Sequence, residues 1–280
     1  MKIKTALISV YDKKGVVEFA RELHRLGITI LSTGGTARIL EENNIPVIKI
    51  EDYSGNPEIL DGRVKTLSFK VFGGILAIRD SHEHIRQMEE RDIKSIDMVV
   101  VNLYPFEEMM KKKMSVQEMI EYIDIGGNTL LRAAAKNFKY VVPVYNRKYY
   151  PDIIMELKTN KGEINDEIRM SLARETFFFT SYYDSLISRY LSQSLGEKSY
   201  PLYYNVAFEK IQDLRYGENP HQEAVYYKLY NSDNPPFKQL AGKELSFNNI
   251  FDFYAAVNLI AELGKNFKKP ACAIIKHRNA

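Results

Sequence analysis

Residues 32–36 have the sequence Ser-Thr-Gly-Gly-Thr and lie between an apolar, β-branched run at 28–31 and a helix-like segment at 37–42. This order predicts a turn from a strand into a helix. The two glycines remove the Cβ atoms that would keep a ligand off the backbone, and the neighbouring hydroxyls can join the free N–H groups of the helix. Such a turn suits a phosphate, although an ordinary turn with Thr33 or Thr36 as helix N-cap fits the same residues.

The first fifty residues repeat a pattern of short strands followed by helices. An apolar run at 5–10 precedes helical spacing at 16–26, and a third strand pattern at 47–50 follows Pro46. This alternation predicts an α/β fold, a parallel sheet flanked by helices, in which ligands bind at the carboxyl ends of the strands. The segment 9–14 and the glycine turn both belong to that edge of the sheet.

The composition is that of a globular protein with a proper core, since the 280 residues are 45% hydrophobic and 27% charged. A net charge of +3 is too small to indicate a nucleic-acid-binding surface. No apolar stretch reaches the length of a membrane span or a signal peptide, and the single cysteine, Cys272, excludes an internal disulfide. These features predict a cytoplasmic protein without nucleic-acid or membrane partners.

The segment 51–70 lacks clear periodicity and is predicted to be a loop. It holds Arg63, Lys65 and Thr66, which place two cations and a hydroxyl within four positions. These side chains are candidates for binding an anionic ligand.

The apolar run 98–103 has the continuous character of a central strand and follows a predicted helix at 81–91. Asn102, just inside the strand end, needs a hydrogen-bond partner. Tyr104 follows where a ligand would lie, although a Tyr-Pro turn that closes the core is an equally good interpretation.

Asp124 is the carboxylate with the most unusual surroundings. It lies between two isoleucines, before a glycine pair at 126–127 and a strong helix-forming segment at 128–137. This placement makes it a candidate for chemistry. For Asp124 alone, however, an acid that complements the dipole at a helix N-terminus is the better interpretation.

Further elements are predicted from caps and periodicity. Ser115 and Glu118 form a capping-box signal for a helix that runs to Tyr122. Pro143 places a strand at 140–144 at an edge or a strand end. Other helices are predicted at 152–157, 166–195 and 249–262.

The segment 196–201 is the predicted domain boundary, because a long helical pattern stops there and a tyrosine-rich strand pattern begins. A polar loop at 214–222 then lies between two strand-like runs. The apolar residues 271–275 are predicted to form a strand close to the end of the chain.

Six motifs in the first 140 residues occur in the order found in one enzyme family. They are Ser-Val-Tyr-Asp-Lys at 9–13, the turn at 32–36, Gly-Arg-Val-Lys-Thr-Leu at 62–67, Asn-Leu-Tyr-Pro-Phe at 102–106, Ile-Asp-Ile-Gly-Gly at 123–127 and Arg-Ala-Ala-Ala-Lys-Asn at 132–137. Together they resemble the bifunctional purine-biosynthesis enzymes that combine IMP cyclohydrolase with AICAR formyltransferase. Segments 214–222, 243–249 and 275–277 resemble the start of the formyltransferase part. One departure is Ser68-Phe69, where the family commonly has His-Pro.

The resemblance implies two parts. Residues 1–196 would be the cyclohydrolase domain with a methylglyoxal-synthase-like α/β fold, and 197–280 the N-terminal segment of an α+β formyltransferase domain that is incomplete here. The implied reaction is the dehydrative ring closure of 5-formamido-imidazole-4-carboxamide ribotide to IMP, with no metal or cofactor. The resemblance also implies a homodimer.

The resemblance assigns the cyclohydrolase site residue by residue. The residues implied to bind the ribotide are Ser9, Tyr11, Asp12, Lys13, Thr33, Gly34, Gly35, Thr36, Arg63, Val64, Thr66, Val101, Asn102 and Ile125. The residues implied to be catalytic are Lys65, Tyr104, Asp124 and Lys136. If the helix begins at Gly127, Lys136 lies about 13 Å along its axis, so it can share a substrate with Asp124 only if the preceding loop folds back.

For formyl transfer, the resemblance implies Arg215 and Tyr216 as binding residues, Lys276 and His277 as catalytic residues, and 10-formyltetrahydrofolate as co-substrate. We expect no formyl transfer by this chain, because His277 at a frayed terminus would lack fixed surroundings. The alternative to an enzyme is a regulatory module of the same fold that binds a phosphorylated or nucleotide effector without chemistry.

Overall fold

The protein is represented by a computed structural model that describes residues 1–112, 114–195, 202–232, 237–267 and 269–277. The chain divides into two compact units, Met1–Leu202 and Tyr203–Ala280. The predicted boundary at 196–201 lies entirely outside those ranges.

The first unit is built on a five-stranded parallel sheet with the order β3-β2-β1-β4-β5. Its strands are β1 (Thr5–Val10), β2 (Thr29–Ser32), β3 (Ile48–Lys49), β4 (Met98–Asn102) and β5 (Val142–Val144). Within this unit, the apolar runs predicted as strands all contain strands. Pro143 lies on an edge strand, where its missing N–H costs no ladder hydrogen bond. The predicted α/β fold is confirmed.

Helices connect and cover the strands. They are α1 (Val16–Arg25), α2 (Gly34–Glu42), α3 (Ile50–Ser54), α4 (Phe69–Leu76), α5 (His82–Glu90), α6 (Phe106–Met110), α7 (Val116–Ile120), α8 (Ile125–Lys136), α9 (Tyr150–Thr159) and α10 (Asp166–Ser194). The predicted capping box of Ser115 and Glu118 is present at α7.

The core lies on both faces of the sheet, because successive strand residues point to opposite sides. Ile8 and Val100 belong to one buried cluster with Phe19 of α1 and Ile153 of α9. Their neighbours along the strands, such as Val99, are also buried, and α8 packs against β4 and β5. The edge where ligands are predicted to bind is therefore formed by strands that are packed on both faces of the sheet.

Two helix boundaries differ from the predictions. The segment 51–70 is not all loop, because Ile50 is fully buried at the start of α3 and Ser68 caps α4 by accepting a hydrogen bond from Val71 N at 3.2 Å. The helix predicted from 128 begins at Ile125, since Asp124 accepts the Gly127 N–H and extends the helix towards the glycine pair.

The second unit contains the antiparallel pair β6 (Phe208–Leu214) and β7 (Ala224–Leu229) and the helix α11 (Phe247–Asn266). These elements agree with the predicted strand-like runs and helix. The prediction of a strand at 271–275 is wrong, since these residues form no ladder and Ile274 is 85% exposed. An apolar run becomes a strand only when a neighbouring strand pairs with it.

None of the described helices combines the length and the apolar character that crossing a bilayer requires.

Candidate active site

A cavity of about 540 Å³ lies at the carboxyl ends of β1, β2 and β4. The residues that line it come from four loops and the first turns of α2 and α8. The predicted site residues among them are Ser9, Tyr11, Lys13, Thr33, Gly34, Gly35, Thr36, Arg63, Lys65, Thr66, Val101, Asn102, Tyr104, Asp124 and Ile125. Segments spread over more than a hundred residues of sequence are therefore brought to one place.

One end of the cavity is formed by the N-terminus of α2. Thr33 is the N-cap residue, but its side chain makes no capping hydrogen bond and its Oγ1 lies 2.8 Å from Ser9 Oγ instead. The first turn carries no acidic side chain. Gly34 has a φ of 39°, and a Cβ there would lie 3.3 Å from Lys65 Nζ. The turn therefore presents helix N–H groups and a nearby ammonium, an arrangement that favours an anion.

Lys13 reaches the same turn from the loop after β1. Its Nζ donates to Thr36 Oγ1 at 3.0 Å and to the carbonyl of Val10. Burial lowers the pKa of Lys13 below its ordinary value, an effect that the Asp12 carboxylate opposes and Lys65 increases. A bound anion would favour the charged form of this half-buried ammonium.

Two of the predicted cationic side chains, Lys65 and Arg63, form ion pairs with acidic residues that were not predicted to belong to the site. Lys65 Nζ lies 2.8 Å from Glu58 Oε2, and Arg63 forms an ion pair with Glu121. Glu58 reaches Lys65 because Ile59 N donates to the Val64 carbonyl at 3.0 Å, which closes a tight turn. No local sequence signal marks either pair.

Val64 and Asp12 were predicted to bind the ligand, but neither lines the cavity. The backbone of Val64 closes the turn just described. The Asp12 carboxylate lies 3.5 Å from Arg147 Nη1 and accepts the Lys14 N–H at 3.1 Å. Both residues support neighbours that do line the cavity.

Asn102 finds the partners that its position requires. Its Oδ1 accepts the N–H groups of Tyr11 at 2.6 Å and Asp12 at 3.0 Å, and its Nδ2 donates to the Asp12 carbonyl at 2.9 Å. The side-chain amide therefore clamps the loop that carries Lys13. The ring of Tyr104 meets that of Tyr11 edge to face at 5.4 Å, at the cavity wall.

Asp124 faces the cavity as the N-cap residue of α8. Its Oδ1 accepts the Gly127 N–H at 2.7 Å. Burial raises the pKa of the Asp124 carboxyl, and backbone hydrogen bonds from Gly127 and Tyr104 act in the opposite direction. Burial likewise raises the pKa of Tyr104, and the Asp124 charge adds to that shift. Asp124 is thus both a helix cap and a carboxyl whose pKa is raised by desolvation.

Lys136 does not reach this cavity. It is exposed at the last position of α8, about 18 Å along the helix axis from Asp124. It lines a second cavity of about 780 Å³ between α4, α8 and α10, with apolar neighbours such as Phe72 and Phe177. Within one chain, the structure separates Lys136 from the other predicted catalytic residues.

In the second unit, Arg215 and Tyr216 lie together, with the guanidinium 4.9 Å from the centre of the Tyr216 ring and Nη2 3.3 Å from its hydroxyl. Lys276 and His277 are exposed. Across the described ranges of both units, no group of three or more His, Cys, Asp or Glu side chains is arranged to hold a metal ion.

Two family models match the chain. A model described as MGS-like domain matches residues 15–129, and one described as AICARFT/IMPCHase bienzyme matches residues 134–280. The chain belongs to the AICARFT/IMPCHase bienzyme family. The methylglyoxal-synthase-like fold predicted for the first part is therefore confirmed.

Members of the AICARFT/IMPCHase family with similar sequences include two proteins named bifunctional purine biosynthesis protein PurH. The one from Acetivibrio thermocellus is 50% identical over 281 residues, and the one from Caldicellulosiruptor saccharolyticus is 49% identical over 282. Each alignment covers 99% of this chain and 54% of the relative, so the chain spans about half the length of the curated relatives it matches. The crystal structure of ForH is 34% identical, with a TM-score of 0.61 over 68% of this chain and 99% of that one.

Proposed function

We propose that the first unit closes the second ring of the purine, converting 5-formamido-imidazole-4-carboxamide ribotide to IMP with loss of water. The observation that carries this proposal is a single cavity in which a helix N-terminus that favours an anion and a partly buried carboxyl, Asp124, lie together. Family membership supports it, and the PurH relatives are named as purine biosynthesis proteins.

Ring closure joins the carboxamide nitrogen of the ribotide to its formyl carbon. An amide nitrogen is a poor nucleophile, so a base must take its proton as the bond forms. Asp124 suits this role, because burial raises its pKa towards that of a useful base. Lys65 and Tyr104 line the same cavity and would stabilise the negative charge that develops on the formyl oxygen. This oxygen then takes up the proton removed from the carboxamide nitrogen and one from the formamido nitrogen, and it leaves as water.

The phosphate of the ribotide would lie at the N-terminus of α2. Lys13, Lys65 and Arg63 supply positive charge around the glycine turn, and the free N–H groups of the helix supply directional donors. The ribose and base would then extend towards Asp124 at the N-terminus of α8.

For the domain division we propose a cyclohydrolase domain at 1–196 and the first segment of a formyltransferase domain at 197–280. Among the described residues of the second unit, Ile250 is the only buried hydrophobic side chain, and Lys276 and His277 are exposed. Because Lys276 and His277 are exposed, they lack the desolvated surroundings that transfer of a formyl group from 10-formyltetrahydrofolate needs. The 280-residue chain would therefore carry out ring closure alone.

For the oligomeric state we propose a homodimer in which Lys136 of each chain acts in the site of its partner. The resemblance gives Lys136 a catalytic role, whereas the structure places it about 18 Å from Asp124 of its own chain. Its apolar cavity between α4, α8 and α10 offers a surface for a second copy. Stabilisation of the oxyanion would then depend on both chains.

Activity is tested by incubating the purified chain with the formylated ribotide and following IMP by chromatography. We expect IMP to form without added folate or metal, and a chelator to leave the rate unchanged. The same chain supplied with AICAR and 10-formyltetrahydrofolate should form no formylated product. A rise in Tm on adding IMP, without any turnover of the formylated ribotide, would instead support the regulatory alternative.

A further inference from the structure

The N-terminus of α8 lacks a local partner for one backbone group. At α7 and α11, the N–H of the N-cap serine is bound by the side chain three residues later: Ser115 N by Glu118 Oε2 at 2.8 Å and Ser246 N by Asn249 Oδ1 at 3.0 Å. At α8 the corresponding residue is Gly127, which has no side chain. The N–H of Asp124 must therefore find its acceptor elsewhere.

Gly127 cannot be exchanged for a residue that would supply this acceptor. A Cβ at Gly127 would lie 2.6 Å from Asp124 Oδ2, a distance that real Cβ atoms essentially never show. Any side chain here would push the carboxylate out of place. With the Asp124 carboxylate in this position, α8 cannot have the capping box seen at α7 and α11, in which the side chain three residues later accepts the N-cap N–H.

The missing acceptor is Tyr183, which reaches the N-terminus of α8 from α10. Asp124 N donates to Tyr183 Oη at 2.8 Å, and the Tyr183 hydroxyl donates to the Tyr122 carbonyl at 2.9 Å. Its side chain is 4% exposed and packs edge to face against Phe106. Because burial raises the pKa of Tyr183, the hydroxyl keeps its proton and serves as donor and acceptor at once.

We propose that Tyr183 is a positioning residue for ring closure, which holds the backbone on both sides of Ile123 and thereby fixes the Asp124 carboxylate in the cavity. This inference rests on the proposed function. Nothing else among the hydrogen bonds described for residues 122–124 ties the Asp124 N–H to the body of the unit. Tyr183 itself does not line the cavity, so its effect passes through Asp124.

The test compares Tyr183→Phe with Tyr182→Phe. Both tyrosines are buried in α10 and both donate a hydroxyl hydrogen bond, Tyr182 to Glu107 Oε2 at 2.9 Å. Each substitution keeps the ring and removes the hydroxyl. We expect Tyr183→Phe to lower kcat roughly 10- to 100-fold with KM for the formylated ribotide little changed, because misplacing a reacting group slows chemistry more than binding. Tyr182→Phe should retain kcat.

A double-mutant cycle identifies the residue through which Tyr183 acts. In an Asp124→Asn background, Tyr183→Phe should cause little further loss of kcat, since the group that it positions is already disabled. Equal kcat for the two tyrosine variants, an effect on KM alone, full additivity in the cycle, or unfolding of Tyr183→Phe alone would each overturn the inference. A wild-type chain that forms no IMP would instead overturn the proposed function.

Discussion

Asp124 meets two requirements at one position. As N-cap residue it accepts the Gly127 N–H, which stabilises α8. As a partly buried group, its charged form is destabilised by desolvation. Asparagine can make the same capping hydrogen bond without the charge. Stability and activity are therefore expected to respond in opposite directions to a single substitution.

Asp124→Asn should lower kcat by roughly 10²- to 10⁴-fold while leaving Tm at pH 7 unchanged or higher. The pKa of Asp124 is raised in the folded state, so the carboxyl stabilises the fold below its unfolded pKa, and that stabilisation is lost as pH rises through the folded pKa. The Tm advantage of the variant should thus shrink towards pH 4. Thermal unfolding between pH 4 and 8, with kcat at pH 7, measures both effects.

The control for this pH dependence is Asp80→Asn. Hydrogen bonds from Lys139 and Tyr140 lower the pKa of Asp80, so its stabilising effect is present above the unfolded pKa and is lost in acid. This variant should have a slightly lower Tm at pH 7 and unchanged kcat, because exposed pairs contribute little. A lower Tm at pH 7 for Asp124→Asn than for the wild type would contradict a desolvated, destabilising charge at Asp124.

Among the elements, those whose signal is local were predictable. The strands β1, β2 and β4 follow from continuous apolar runs, and the glycine turn follows from its position between a strand and a helix. The predicted start of α8 at 128 lies too far along the chain, because a glycine pair suggests a break in a helix. In the structure, the Asp124 cap and the distant Tyr183 hydroxyl stabilise the helix from Ile125. The ion pairs of Glu58 and Glu121 likewise depend on tertiary contacts that no spacing reveals.

The turn before α2 can be tested through the space that its second glycine leaves open. A Cβ on Gly35 would meet no protein atom within 4 Å, and Gly35 lines the cavity. Gly35→Val should therefore fold and yet weaken binding of IMP and inorganic phosphate at least about tenfold, by blocking the approach to the helix N–H groups. Calorimetric titration of phosphate, IMP and inosine measures the effect.

Gly264→Val in α11 is a matched control, because a Cβ there also meets no atom within 4 Å. This variant should bind IMP as the wild type does. The wild type itself should bind inosine far more weakly than IMP, since inosine lacks the phosphate. Equal affinities for inosine and IMP, or unchanged phosphate binding by Gly35→Val, would place the phosphate elsewhere in the cavity.

At the scale of the whole molecule, the arrangement of the predicted catalytic residues limits what one chain can do. The cavity that contains Asp124 and the surface that contains Lys136 lie at opposite ends of α8, and a helix is too rigid to bring its ends together. The family resemblance implies one site for both residues, because a motif gives order along the chain but not distance in space. Both residues can act in one site if a second chain places its own Lys136, at the C-terminal end of α8, in the cavity that contains Asp124.

This arrangement predicts complementation between two inactive variants. Asp124→Asn and Lys136→Ala should each have low kcat, and subunit exchange should produce heterodimers in which one of the two sites has both native residues. After random exchange of equal amounts, about one quarter of all sites would have both native residues. The rate of IMP formation should therefore rise on mixing towards about one quarter of the wild-type rate. Mixing Asp124→Asn with Asp124→Ala should restore nothing. If sedimentation shows a monomer, or if Asp124→Asn and Lys136→Ala stay inactive after proven exchange, Lys136 does not act across the dimer.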